Sequence, residues 1–353
     1  MEESTSKITT RLSLSPMTLC SYTGTLSPET YLFSPFTDGV FQPPTCLHPN
    51  DLSFVLKNGT AMSHSSVLVT GSSGTVGTAL AESLLENGYD VYGVDINQNQ
   101  WSEEVGELTR VVDLREADAF DQLSQDVDLV VHLAANARVH KLVQNPGLAR
   151  ENFETTYNAL EYARGIGADF VFSSSREVYG NNGKIIYDET DTYVDECESP
   201  YTASKIGGEA LVKSYDNCYD MDTSIIRFSN VYGKYDASDR VIPLFIAQAN
   251  RGQDLTVYGR DKLLDFTYID DCVTGVVSII DQFNKAAGST FNIASGQGSS
   301  LIELADIIIE ELGVDVQVNV EQNRTGEVSR YVADRSEERR VGKECRSRWS
   351  PYH

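Results

Sequence analysis

The chain reads as an α/β protein, a doubly wound parallel sheet followed by a smaller C-terminal α/β lobe. Three observations predict this. From about residue 66 to 230, short apolar runs alternate with helical patterns, the arrangement that covers a parallel sheet on both faces. The first run breaks into three glycines where it hands over to a helix. Beyond residue 230 the elements shorten and mix, which marks a change of lobe.

Val67, Leu68 and Val69 form the first strand, since a β-branched apolar run stops at Gly71. A helix starts at Thr75, with Val76, Leu80, Leu84 and Leu85 on one face and Gly88 as its stop. Further strands are expected at Tyr89–Val94, Arg110–Val112 and Val127–Leu133. A long helix, Leu148–Arg164, leads to the strand Asp169–Ser173. A helix over Pro200–Tyr219 leads to the strand Ser224–Phe228. The second lobe holds a helix at Ile242–Asn250, strands at Leu255–Tyr258 and Asp265–Ile269, and a helix from Asp270. It ends with a strand at Phe291–Ile293, a helix at Leu301–Leu312 and a strand-like SRYVAD.

Composition excludes several functions. With 28 Lys+Arg against 52 Asp+Glu, the net charge of −24 argues against a nucleic-acid partner, which needs a basic surface. No apolar run approaches membrane-spanning length, and no basic segment leads into an apolar one as in a signal peptide, so no membrane partner is expected. The cysteines (Cys20, Cys46, Cys197, Cys218, Cys272, Cys345) show no metal-site spacing and read as reduced packing thiols of a cytoplasmic protein; no metal is expected. Such acidity also suits a salt-rich cytoplasm, where screening relieves self-repulsion; a halophilic origin is the corresponding expectation.

Both ends differ from the body. Residues 1–61 are rich in Ser, Thr and Pro and lack periodicity; they are expected to be a non-native or disordered extension, with Met62 as the start. Arg335–His353 is basic without an apolar face. It resembles the in-frame translation of a sequencing-library adapter, whose opening codons AGA-TCG-GAA-GAG-CGT spell Arg-Ser-Glu-Glu-Arg. The resemblance implies that the C-terminal lobe is truncated after Asp334. Residues 1–61 carry −2 and residues 335–353 carry +3, leaving −25 on residues 62–334. The body is expected to divide near residue 230, into residues 62–230 and 231–334.

Strand, glycine turn and helix together form a dinucleotide-binding fingerprint. Gly71 permits the tight turn, Gly74 lets backbone N–H groups approach a pyrophosphate, and Gly77 lets helix and strand pack closely. With Ser73, Thr75 and Val76 between them, these residues are the candidate cofactor cradle, and the helix N-terminus adds its dipole. Asp95 lies at the end of the second strand, eighteen residues past Gly77. A carboxylate there bonds the ribose 2′-hydroxyl and repels a 2′-phosphate, selecting NAD over NADP. A second signal is Ser199-Pro-Tyr-Thr-Ala-Ser-Lys205: Ser199 caps a helix on which Tyr201 and Lys205 share a face. An ammonium beside a phenol is expected to lower the phenol's pKa from near 10 and make Tyr201 an acid/base for a substrate hydroxyl. Ser173, Ser174 and Ser175, at the end of the preceding strand, offer a second hydroxyl.

TGSSGTVG, VVHLAA, FSSSREVYG, SPYTASK, RFSNVYG and DFTYIDD together resemble, in order and spacing, the extended short-chain dehydrogenase/reductases. Within them the chain is similar to the nucleotide-sugar NAD-dependent epimerase/dehydratase family, over residues 66–334. The resemblance implies a Rossmann lobe holding NAD, a smaller lobe holding a nucleoside-diphosphate sugar, and a homodimer built on the helices Leu148–Arg164 and Pro200–Tyr219. It implies that Tyr201 is the catalytic tyrosine, Lys205 the lysine that also holds the nicotinamide ribose, and Ser175 the hydroxyl partner. Asp113 and Leu114 would line the adenine pocket, Ala134 and Ala135 the strand end beside the cofactor. Asn230 would bind substrate and Arg324 would reach its diphosphate.

Two departures stand out. Leu264 precedes Asp265 where the family has arginine, which leaves a phosphate contact to Arg260 or Lys262. Arg176-Glu177 stands where dehydratase members carry Asp-Glu, so the acid that would protonate a departing C6 hydroxyl is missing; Glu177 remains, as a catalytic group or as a loop residue. The expected activity is therefore a nucleoside-diphosphate-sugar 4-epimerase of the UDP-glucose or UDP-glucuronate type. The alternatives are a decarboxylase, 4,6-dehydratase or reductase of the same family, or a non-catalytic NAD-sensing module.

Overall fold

The buried run Val67–Val69 and its equivalents along the chain set the architecture. The computed structural model describes residues 64–334 except 237–238; the expectations for residues 1–61, for Met62 and for 335–353 lie outside the described residues. In chain order the first half gives β1 (Ser66–Thr70), α1 (Thr75–Glu86), β2 (Asp90–Asp95), α2 (Glu103–Leu108), β3 (Thr109–Val111), β4 (Leu129–His132), α3 (Val139–Gln144), α4 (Gly147–Ile166), β5 (Asp169–Ser175), β6 (Ile186–Tyr187) and α5 (Pro200–Cys218). Then follow β7 (Thr223–Phe228), β8 (Asn230–Tyr232), α6 (Val241–Asn250), β9 (Leu255–Tyr258), β10 (Leu263–Tyr268), α7 (Ile269–Asp281), α8 (Phe283–Ala286), β11 (Thr290–Ile293), β12 (Gly298–Ser300), α9 (Leu301–Leu312), β13 (Val318–Glu321) and β14 (Arg330–Ala333). Every element expected within 64–334 is present, shifted by at most a few residues.

The main sheet has seven strands in the order β3-β2-β1-β4-β5-β7-β11, all parallel, which is the Rossmann arrangement. Its central strands are buried on both faces, β1 and β4 throughout. On one face Leu80 and Leu84 of α1 pack with Val276 and Ile280 of α7. On the other, Leu160 and Ala163 of α4 pack with Val212 and Tyr215 of α5. Chain order reverses between β1 and β4, and the crevice outside such a switch point is where ligands bind in open sheets.

The smaller lobe does not begin cleanly at residue 231, as the order of elements suggests. Strand β11 returns to the main sheet as its edge, and α7 covers the glycine-turn helix. Conversely β6, from residues before 230, pairs with β14 in the second lobe's sheet, whose order is β12-β10-β14-β6 with β8 beside β10. The reason is burial. Phe291 and Ile293 complete a core that β7 leaves open, and Tyr187 stacks with Tyr179 and Tyr331 at ring distances of 5.2 and 6.0 Å. The lobes thus exchange segments, and the candidate site lies where they meet. Among the described residues no helix is long and apolar enough to cross a membrane.

Candidate functional site

The glycine turn is shaped by sterics. Gly71 adopts φ +73°, and a Cβ there would stand 2.9 Å from the Ala134 amide nitrogen at the end of β4. The α1 N-terminus has Gly74 as its cap, without a side-chain hydrogen bond, so its first N–H groups face outward for an anion. Asp95, at the end of β2, accepts the Ser73 N–H at 3.1 Å and the Asn97 N–H at 2.8 Å, which orients its carboxylate at the turn. The Ser73 hydroxyl donates to the Asn97 carbonyl, and that of Thr75 to the Tyr235 carbonyl. These residues fit a dinucleotide: a cradle a side chain would fill, a helix end with no side-chain cap, and a carboxylate at the end of the neighbouring strand. Asp95→Ala is expected to narrow the NAD/NADP affinity ratio, measured by calorimetry with both nucleotides; an unchanged ratio counts against Asp95 as selector.

Two cofactor candidates present less than the resemblance implies. Arg115 grips Asp113 through Nε at 2.9 and 3.0 Å, which holds its carboxyl below the usual carboxylate range. The Leu114 side chain is buried in the core with Phe120 and Leu160, and its carbonyl accepts from Asn158 Nδ2 at 2.9 Å.

The reacting end is built by β5 and α5. The aromatic run Phe170–Phe172 buries β5, and the strand ends in Ser173, Ser174 and Ser175. Ser199 caps α5 by accepting the Thr202 N–H at 3.1 Å, with Pro200 in the first turn, as its sequence dictates. Tyr201 and Lys205 consequently face the β5 end. The Ser175 hydroxyl lies beside the Tyr201 phenol and accepts the Glu177 N–H at 3.2 Å. The Lys205 ammonium donates to the Ser173 carbonyl at 2.7 Å and lies 4.9 Å above the Phe172 ring.

The expected lowering of the Tyr201 pKa is not what this geometry produces. Burial holds the phenol above its ordinary value, with Glu177 acting the same way, while Ser175, Arg240 and Arg176 oppose them. Lys205 is itself pushed down to about 8 by burial, against the opposing charge of Glu209. Desolvation outweighs charge because both groups are over nine-tenths buried.

A cavity of ≈ 330 Å³ opens between the lobes, lined by Val76, Ala135, Ser175, Tyr201, Lys205 and Asn230, among others. Arg176 and Glu177 form a buried pair at 2.8 Å on its wall. Arg176 also donates to Asn230 Oδ1 at 3.2 Å, and Asn230 donates to the Asp265 carbonyl at 2.9 Å. Glu177 accepts the Val328 N–H at 3.1 Å, and burial raises its carboxyl pKa against the pull of Arg176. Toward the second lobe, Arg324 lies 4.0 Å over the Tyr258 ring. Lys262 pairs with Glu327 on the cavity wall, whereas Arg260 is not among the lining residues. Of the two cations proposed to replace the one absent at Leu264, the structure therefore brings Lys262 to the site. Arg138, Asp239 and Arg240 also line the cavity, with Arg138 and Asp239 paired at 3.2 Å. Sequence reasoning missed these three, which stand as single charges in loops with no motif around them.

Residues 67–294 match the NAD dependent epimerase/dehydratase family. The chain is 30% identical over 295 residues to UDP-glucuronate 4-epimerase 1 of Arabidopsis thaliana, covering 74% of this chain and 68% of that one. It is 28% identical over 312 residues to a dTDP-glucose 4,6-dehydratase of Neisseria meningitidis, covering 78% and 86%. Among solved structures it resembles the UDP-glucose 4-epimerase of Thermus thermophilus in complex with NAD, with a TM-score of 0.71, 27% identity and coverage of 81% and 94%. With the Rossmann sheet, the glycine cradle and the Ser175–Tyr201 pair in place, the chain belongs to the NAD-dependent epimerase/dehydratase family of enzymes acting on nucleotide sugars.

Proposed function

We propose that the protein is a nucleoside-diphosphate-sugar 4-epimerase of the UDP-glucose or UDP-glucuronate type, acting through a transient 4-keto sugar. The observation that carries this reading is the pairing of Ser175 with Tyr201 inside the cavity, together with Arg176 committed to Glu177 and Asn230. Tyr201 takes the proton of the sugar 4-hydroxyl and later returns it, while the Ser175 hydroxyl holds the same oxygen. When bound, NAD supplies the acceptor and then the donor of the hydride at C4. The positive charges of Arg176 and Arg240 favour the phenolate that this requires. Lys205 positions the nicotinamide ribose, and Asn230, Arg324 and Lys262 hold the sugar and its diphosphate.

A 4,6-dehydratase needs an acid beside the hydroxyl partner to expel the C6 hydroxyl. The guanidinium at position 176 has no proton to give at working pH and is fully engaged, so the ketone is returned to an alcohol rather than dehydrated. Incubating the NAD-loaded protein with a panel of UDP- and dTDP-sugars and following products by NMR tests this. Interconversion of 4-epimers is expected. Accumulation of a 4-keto-6-deoxy sugar, or loss of carbon dioxide from a uronate, would replace the reading by dehydratase or decarboxylase.

Two further parts of the proposal concern the surface. Phe153 and Tyr157 stand exposed one turn apart on α4, beside α5, and we assign this face to a homodimer. Light scattering at micromolar concentration is expected to give twice the chain mass, and a monomer counts against it. The acidic body suits a salt-rich cytoplasm. The thermal midpoint is expected to rise as KCl is raised into the molar range, and a midpoint insensitive to salt removes the halophilic part of the reading.

A further inference from the structure

Three successive turns of α5 meet three successive residues of β5. Tyr201 meets the Ser175 hydroxyl, and Lys205 the Ser173 carbonyl. Glu209, one turn further on, accepts the Ser174 hydroxyl at 2.5 Å. The same carboxylate is gripped through two bonds by Arg227 of β7, from Nε at 2.9 Å and from the second terminal nitrogen at 2.7 Å. Arg227 in turn donates to the Tyr179 hydroxyl at 3.0 Å and the Glu189 carbonyl at 2.8 Å, and lies 5.0 Å over the Tyr179 ring. Both members of the pair are nearly out of solvent. A bidentate carboxylate–guanidinium pair fixes angle as well as distance, so α5, β5 and β7 are pinned directly behind the reacting hydroxyls.

We propose that Glu209 is a positioning residue of this site: it locks the Ser173–Ser175 strand end against α5 and sets a negative charge one helical turn behind Lys205, so that the buried amine stays an ammonium. It rests on reading Lys205 as the lysine that holds the cofactor. The ionisable groups around Lys205 come from three elements. His132 on β4 accepts or donates to Thr70 at 2.8 Å and is kept neutral by burial, pushed to about 3. Tyr201 and Glu209 share its helix, and Arg227 on β7 lies beyond Glu209, with Tyr179 behind it. Glu209 is the anion acting on Lys205; its charge opposes the burial that takes the amine down to about 8. Without it, burial would take the Lys205 amine further down, and its grip on the Ser173 carbonyl would lose part of its charge-assisted strength.

The test uses the full chain, with and without NAD, labelled with ¹⁵N-lysine. The Lys205 amine signal is identified by its loss in Lys205→Met, and its titration midpoint is followed in Glu209→Gln, whose amide keeps the shape and an acceptor for Ser174. The midpoint is expected to fall by about one pH unit. The alkaline limb of turnover is expected to move down with it, and Glu209→Asp, which restores the charge, to bring both back toward wild type. Because Glu209→Gln leaves Arg227 buried without its anion, Glu209→Gln/Arg227→Met is prepared in parallel as the variant that keeps the fold. Its midpoint too is expected below wild type. An unchanged midpoint in a folded variant, whatever its thermal stability, overturns the proposal and leaves Glu209 a structural pair with Arg227. The titration needs no sugar. A wrong substrate assignment would therefore show as absent turnover with the midpoint shift intact.

Discussion

Tyr201→Phe is expected to lower turnover at least ~10²-fold while leaving NAD affinity nearly unchanged, because it removes one hydroxyl and nothing of the cofactor cradle. The ring is buried against the cavity wall and keeps its packing as phenylalanine; what disappears is the hydroxyl beside Ser175 that, on the proposed mechanism, exchanges a proton with the sugar. The decisive comparison is turnover beside calorimetric NAD binding on the same preparation. Retention of more than a few per cent of wild-type turnover would show that another group takes the proton. A parallel loss of NAD affinity would show that the substitution had disturbed the fold around β5 and α5 and had not isolated the chemistry.

Gly77→Ala is expected to have the second large effect. A Cβ at position 77 would stand 2.0 Å from the Gly71 carbonyl oxygen and 2.9 Å from Ser72 Cα. Both neighbours are backbone, so the turn itself must move away from the helix that it feeds. Overpacking of this kind costs about 1–3 kcal/mol in stability, and the displaced turn no longer presents its N–H groups in register, so NAD affinity should fall tenfold or more. Gly88→Ala is the control. Gly88 has φ +84° but nothing within 4 Å of a Cβ, so its substitution strains the end of α1 without touching the cradle. Thermal midpoints should drop in both variants and NAD affinity in Gly77→Ala alone. Equal NAD affinity in the two would mean that the turn tolerates displacement and that the cradle reading overstates its precision.

These two expectations come from different levels of the molecule. The glycine turn, the cap at Ser199 and the shared face of Tyr201 and Lys205 were legible in the linear chain, because each depends on neighbours within a few residues. Backbone sterics and helical periodicity carry that information locally. The same holds for Asp95, whose place at the end of β2 follows from one strand's length. It also holds for the C-terminal glycine stop of α1, which the structure places at Gly88 with φ of 84°.

What the chain alone could not reveal is written between distant residues. Glu177 meets Val328 and Lys262 meets Glu327, and β11 returns to the main sheet across the intended lobe boundary. The two- and three-residue strands β6, β8 and β12 have no periodicity of their own and exist because a partner strand supplies their hydrogen bonds. The protonation of the site was likewise decided in three dimensions. A lysine four residues from a tyrosine suggested a lowered phenol pKa, yet folding carried both groups out of water. The cost of charging a buried group then exceeded the help of its neighbour, raising Tyr201 and lowering Lys205. Sequence determined which residues stand on the reacting face; burial by two interleaved lobes decided their charge.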